Sequence, residues 1–469
     1  MKSVKINLLF ALVVLAMNGM EVPAQDFRVL RTFSGGLDGS IPFASLLLSS
    51  NTLYGTTAVG GATGNGLVFS INVDGSNYKV IHNCAYHEGP SLSSVTLCGN
   101  TLYGTADQGG TNMEGIIFST AIDSTNYSLL HTFTAMDGST PEAGLVVISN
   151  ILYGTCMQSG VNNLGTVFAM NTNGSGYTVL HQFSAFVGGS VNSDGAYPQG
   201  GNLCFLGNTL YGTTYSGGTN GSGTIFSVNT DGSGFTTLHH FGGGYDGFHP
   251  QAGLAIANGK LFGTTARGGT NGNGTLFSIN TNGSVYLQLH AFGAKVGNSG
   301  LNPDGLFPMA GLTLGGDALF GTTYQGGAHQ LGTIFMLNQD GSGFTTLHDF
   351  AGGADGGYPE CAPVYAGNTL YGTTFSGGSN NGSGVIFSLN ILPGISSFNL
   401  VETNLTINAT KGLMGHSYVV LMSTNATMPI QNWTPVVTNA LDASGNFNLT
   451  ATNVVSHTFP QRFFILQGQ

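Results

Sequence analysis

Charge is what this chain has least of. Only 7% of its 469 residues are Asp, Glu, Lys or Arg, and just ten are basic. That scarcity excludes a charged disordered chain and argues against a helix bundle with a charged surface. With a formal net charge of −11 and so few cations, no basic patch can be assembled, so nucleic acid is not expected as a partner. Tryptophan occurs once, and the five cysteines (Cys84, Cys98, Cys156, Cys204 and Cys361) show no CxxC or other paired spacing. They read as small buried hydrophobes, with a Cys84–Cys98 bridge the one pairing worth considering. Gly-x-Ser-x-Gly, His-Glu-x-x-His and a phosphate loop ending in Gly-Lys-Ser/Thr are all missing. No metal and no cofactor is expected.

Long apolar runs are equally scarce. Ile6–Met17 follows Lys2 and Lys5 and is too short to span a bilayer. Val22 and Ala24 supply small residues before a cleavage point after Ala24, so residues 1–24 read as an export signal. No cysteine sits directly after that point, so lipid anchoring there is not expected, and no apolar anchor with a basic flank follows later. An exported protein with no membrane span is expected.

Glycine is abundant, at 76 residues, beside 41% hydrophobic residues and a mean hydropathy of +0.16. That combination points to a well-filled core built from many short strands and turns. The order comes from a repeat. Tyr/Phe-Gly-Thr recurs at Tyr54, Tyr103, Tyr153, Tyr211, Phe262, Phe320 and Tyr371, spaced by 49 to 58 residues. A period near 50 with strand-like content fits a propeller better than a helical solenoid. Each unit holds four strand-like segments, in the fifth Ala252–Ala257, Lys260–Thr265, Gly274–Asn280 and Tyr286–Phe292. Two of the links are tight Asn-Gly-type turns and two are long and glycine-rich, which places the long links on one face. The last unit stops at Asn390 without its fourth strand, while Phe27–Phe33 matches the fourth-strand pattern. Closure by that strand predicts an all-β, seven-bladed β-propeller of four-stranded blades over residues 25–390. A small C-terminal β-sandwich is expected over 391–469, where Asn/Thr/Val alternation surrounds Trp433.

The recurring Leu-Tyr-Gly-Thr-Thr, Gly-Gly, Gly-Thr-Ile-Phe, Asp-Gly-Ser-Gly, Leu-His and Asp-Gly-x-x-Pro elements resemble the GloVer-type tandem repeat of exported bacterial proteins, and more loosely kelch blades. The resemblance covers roughly residues 27–390 and implies a propeller and export, with no activity to carry over.

Histidine recurs once per unit (His82, His131, His181, His239, His290 and His348), with Arg31 in the first copy. An Asp-Gly-x-x-Pro link follows. Strict alternation puts Tyr127, Leu129, His131 and Phe133 on one face. Groups repeated in every blade serve architecture, so each Asp is expected to accept from a backbone amide or from its own blade's histidine. Function is expected where copies break consensus on the long-link face. The second unit departs most: its link, Cys84–Pro90, is short and puts Tyr86 where the others have Asp. His87, Glu88, Asp107, Gln108 and Glu114 then form an acidic sector. Tyr215, Arg267 and Tyr324 are expected to ring the channel mouth, and insertions 184–193 and 293–303, the latter with Lys295, lengthen the same face. The candidate site is therefore His87, Glu88, Asp107, Gln108, Tyr215, Arg267 and Tyr324. The expected function is non-enzymatic recognition of an extracellular glycan or protein by a monomer. Polysaccharide lyase or hydrolase activity on the same face is the alternative, and a purely structural surface protein the third.

Overall fold

The glycine of each Tyr/Phe-Gly-Thr copy is there because an aromatic ring lies on it. A Cβ at Gly55, Gly104, Gly154, Gly212, Gly263, Gly321 or Gly372 would come within 2.5–2.6 Å of a phenylalanine Cζ on the next strand. The ring belongs to the residue directly opposite in the ladder, as in Gly212↔Phe226 and Gly263↔Phe277. The threonine after that glycine reaches sideways. Thr213 Oγ1 donates to the Ala252 carbonyl at 2.9 Å, Thr264 to Ala310 at 3.0 Å and Thr322 to Cys361 at 3.1 Å, each in the next unit. One tripeptide thus packs its own sheet and fastens its neighbour.

The structure, a computed structural model, describes residues 26–293, 302–378, 382–391, 394–401, 404–410, 417–423, 432–440, 447–451 and 463–468. The expected leader and Lys295 lie outside these residues. The repeats form seven four-stranded antiparallel sheets. Blade four comprises Cys204–Leu206, Thr209–Thr214, Thr224–Asn229 and Thr236–His240, and blade five Ala255–Ala257, Lys260–Thr265, Thr275–Asn280 and Leu287–Ala291. The short first strands of adjacent blades approach one another and line the axis. In the seventh blade the fourth strand is Asp26–Thr32, antiparallel to Val385–Asn390, so the N-terminal strand closes the ring. Thr373 Oγ1 crosses the same seam to the Ala44 carbonyl at 3.4 Å.

Strict alternation fails in the fourth strand. In all seven blades the register shifts there, between Ile117 and Phe118 in blade two. The bulge leaves Leu129 40% exposed while Phe133 is fully buried, correcting the single face expected for Tyr127, Leu129, His131 and Phe133.

The core lies between blades. Phe33, Phe133, Phe183, Phe241 and Phe292 end the fourth strands at 0–1% exposure, each edge-on to the glycine-seated phenylalanine of the next blade. All five cysteines are free thiols, so the considered Cys84–Cys98 bridge is not formed. The tail contributes two three-stranded antiparallel sheets. One comprises Gly394–Val401, Asn404–Thr410 and Phe447–Ala451; the other Ser417–Ser423, Thr434–Ala440 and Phe463–Gly468. Among the described residues no helix is long and apolar enough to cross a membrane.

Candidate functional site

The recurrent His and Asp are spent on one another. Imidazole Nε2 lies 3.0–3.2 Å from the link carboxylate in His131–Asp137, His181–Asp194, His239–Asp246, His290–Asp304 and His348–Asp355. Arg31–Asp38 replaces the pair at 2.8 Å. The carboxylate also accepts from the first backbone N–H after the strand, as at Thr134, Gly242 and Ala351. Each histidine ring stacks on an aromatic ring of the following blade at 3.5–4.2 Å between centroids, and Arg31 lies 3.5 Å over Tyr78. Burial depresses the pKa of His131, His239 and His348 against the pull of their Asp partners. These groups are seam fittings.

The second unit keeps the fitting, with different residues. A short 3-10 turn, Tyr86–Glu88, brings Glu88 Oε2 to 2.9 Å from His82 Nε2 and 2.6 Å from the Ala85 N–H. Glu88 therefore holds the Asp position. Tyr86, which the spacing put there, is 70% exposed, because the turn advances the register by two residues. His87 is exposed, and its carbonyl accepts from the Gly110 N–H at 2.7 Å.

The links build something else at the axis. In six of them the proline (Pro42, Pro141, Pro198, Pro250, Pro308 and Pro359) fits where a Cβ on a glycine of the preceding blade would be, 2.4–2.8 Å from such an atom. The residue before each proline adopts the left-handed region, with φ of 54–58° at Ile41, Thr140, Tyr197, His249, Phe307 and Tyr358. Backbone bonds on both sides hold that conformation. The Tyr197 N–H donates to the Leu164 carbonyl in the preceding blade, and its own carbonyl accepts from Tyr215. Because it recurs in six links, this conformation is architecture too. Its effect is to aim the residue after the proline at the axis.

Those residues differ from blade to blade: Phe43, Glu142, Gln199, Gln251, Met309 and Glu360. With Ser91, Asp107 and neighbouring backbone they line a cavity of about 490 Å³ to which all seven blades contribute. Three of its lining residues are carboxylic acids, and none is Lys, Arg or His. Burial, with the charge of Glu142 beside it, raises Asp107 to about 7, and one of its oxygens is buried with no hydrogen-bond partner among the described residues. Burial alone lifts Glu360 to about 7. Glu142 is raised by burial too, less so for a hydrogen bond from Gln199.

Of the seven expected site residues, Asp107 lines this cavity and the other six do not. Three of those six pack instead on the residue just before a link proline. Tyr215 stacks on His249 at 4.1 Å, Tyr324 lies 5.1 Å from Tyr358, and Arg267 sits exposed 4.9 Å over Phe307. Burial and the charge of Glu360 raise the Tyr324 hydroxyl. Gln108 is exposed, and its backbone packs where a Cβ on Gly89 would be.

A sequence profile of the Gloeobacter/Verrucomicrobia repeat matches residues 19–203, 186–307 and 298–419. The chain belongs to this repeat family. No curated protein matches it. Among solved structures it is similar to a chain of the nidogen/laminin complex, with 15% identity over 52% of this chain and 78% of that one (TM-score 0.36). TolB from Acinetobacter baumannii shows 11% identity over 59% and 58% (TM-score 0.36). YCF48 from Cyanidioschyzon merolae shows 11% over 77% and 98% (TM-score 0.44).

Within this Gloeobacter/Verrucomicrobia repeat protein, sequence reasoning missed Glu142, Gln199, Gln251 and Glu360. The signal was present: each follows an otherwise repetitive Asp-Gly-x-x-Pro and precedes a small residue and the first strand. Variation at one position inside a fixed frame marks a side chain released from scaffold duty.

Proposed function

We propose that this protein is an exported, non-enzymatic recognition platform that takes a glycan into the axial cavity on its long-link face. The observation that carries this reading is the change of chemistry at the axis-facing position while the frame on either side stays fixed. Carboxyl and amide groups there suit sugar hydroxyls, and the half-exposed rings of Tyr215, Tyr324 and Tyr358 suit sugar faces. A volume of about 490 Å³ falls within the usual range for small-ligand sites. The test is binding of the full chain to a glycan array, repeated with Gln199→Ala and Glu360→Gln. Retention of a glycan that both variants lose supports the reading. Silence on every glycan transfers the search to protein ligands or to a purely structural role.

A second reading rests on Asp107 and Glu360, both held near pH 7, where a carboxyl serves equally as acid or base. Under it the same cavity cleaves a polysaccharide. New reducing ends or unsaturated products from a bound glycan, lost in Glu360→Gln, would replace recognition by a hydrolase or lyase.

A further inference from the structure

Where the chain passes from its first blade to its second, the seam fitting gains a third donor. Six fourth strands end in phenylalanine, the residue after next from His or Arg: Phe33, Phe133, Phe183, Phe241, Phe292 and Phe350. At the remaining seam that place is taken by Cys84, whose thiol is fully buried. Its Sγ, a ring nitrogen of His82 and a Glu88 carboxylate oxygen all lie within 4.8 Å of one another, and His82 Nε2 is 2.9 Å from Glu88 Oε2. The His82 and Glu88 side chains keep 21% and 12% exposure, so one side of the cluster opens to solvent.

We propose that His82, Cys84 and Glu88 form a site for a divalent cation of the zinc type, with water as the fourth ligand. Imidazole, thiolate and carboxylate are the three donor types such an ion accepts, and three protein ligands leave a tetrahedral position open. Cys156 lies near Asp137 at the next seam, but among the described residues only here do three such donors come within 4.8 Å of one another, so the site belongs to this seam.

A second observation comes from the ring stacked on His82. Elsewhere that tyrosine hydroxyl donates to the backbone carbonyl of the link Asp: Tyr78 to Asp38, Tyr177 to Asp137 and Tyr286 to Asp246, at 2.7–3.0 Å. Tyr127 stacks on His82 at 3.8 Å, yet its buried hydroxyl has no partner among the described residues. That stacking on His82 places the tyrosine beside the cluster. A metal-bound water would give that hydroxyl the partner that its counterparts find in backbone. A cysteine thiol ordinarily keeps its proton at neutral pH, so the apo site starts from the thiol. On binding, the thiol proton leaves to solvent as the sulfur–metal bond forms, and the imidazole proton moves to Nδ1 so that Nε2 ligates.

The test is titration of the chelator-stripped full chain with Co²⁺, then displacement by Zn²⁺. One Co²⁺ per chain is expected, with a thiolate-to-cobalt charge-transfer band, strong tetrahedral visible bands and proton release. Cys84→Ser should abolish the charge-transfer band. Glu88→Gln, which keeps a hydrogen bond to His82, should weaken Zn²⁺ binding by more than the roughly 10–100-fold typical of losing an outer-shell partner. Circular dichroism melts confirm folding, and Cys84→Ala replaces the serine variant if that one does not fold. Absence of the charge-transfer band, or its survival in the folded Cys84 variant, overturns the site.

Discussion

Adding one methyl group to Gly212 tests the central packing rule of the fold. The backbone there is not in the left-handed region, so an alanine meets no conformational penalty. On backbone grounds alone Gly→Ala at a compatible site stabilises, by about 0.4–1 kcal/mol through the unfolded chain. Sterics argue the opposite. The new Cβ would stand 2.6 Å from Phe226 Cζ, 2.9 Å from Leu203 Cδ2 and 3.0 Å from Phe226 Cε1. Phe226 is fully buried, with Phe183 edge-on at 5.5 Å and Phe235 stacked at 5.5 Å, so the ring has nowhere to retreat. Overpacking of this kind costs about 1–3 kcal/mol. Gly212→Ala is therefore expected to destabilise by about 1–2 kcal/mol. Phe226→Leu destabilises through the space it leaves, but the double variant places the methyl in that space. It should be more stable than the sum of the single effects by about 1 kcal/mol or more. Urea unfolding followed by far-ultraviolet circular dichroism is the assay. The single tryptophan, Trp433, lies beyond the blades, so its fluorescence reports on the tail instead. A neutral or stabilising Gly212→Ala, or a strictly additive cycle, refutes the reasoning.

The seam tyrosines give a matched pair. Tyr177→Phe removes a donor to the Asp137 carbonyl and should cost about 0.5–1.5 kcal/mol, whereas Tyr127→Phe removes a buried hydroxyl with no partner and should be neutral or stabilising in the apo protein; thermal melts compare them. Phe27→Ala strips the ring stacked at 3.9 Å on His348 and should cost about 3 kcal/mol, the low end for phenylalanine because the ring is half-buried; the check is the urea midpoint. Asp107 and Glu360 keep their protons in the folded state to about pH 7, while unfolded carboxyls release them near pH 4. The native state then holds more protons across that window, so their contribution to stability falls as pH rises from about 4 to about 7 and is flat above. The depressed histidines act oppositely below about pH 6.5, so the measurement is the difference between wild type and Asp107→Asn/Glu360→Gln, which should shrink toward acid.

Blade number, strand count and ring closure were legible because they rest on spacing alone: seven Tyr/Phe-Gly-Thr copies and an orphan fourth strand at Phe27–Phe33. The mutual engagement of His and Asp was legible from repetition, since a group present in every blade belongs to the frame. The axis-facing residues were not. Period-two reasoning ends with the strand, and the aim of Glu142 or Glu360 depends on a left-handed residue before proline, which no local preference for threonine or tyrosine announces. Glu88 was misplaced for a related reason: a 3-10 turn in a shortened link changes which residue meets His82. Asp107, singled out because it breaks consensus, does line the axial cavity. Tyr215, Arg267 and Tyr324, expected at the channel mouth, pack on His249, Phe307 and Tyr358 instead of lining the cavity.

The strand Asp26–Thr32 is synthesised first and paired last. Until Val385–Asn390 is made, it has no partner, and afterwards each of the two is an open edge awaiting the other. Joining them closes a loop of more than about 350 residues, yet loop entropy grows only logarithmically, adding about 2 kcal/mol relative to a 50-residue loop. Completion of the seventh blade therefore waits on this one pairing. At high protein concentration that same edge accepts the first strand of another molecule, so dilution during refolding favours closed monomers over exchanged dimers.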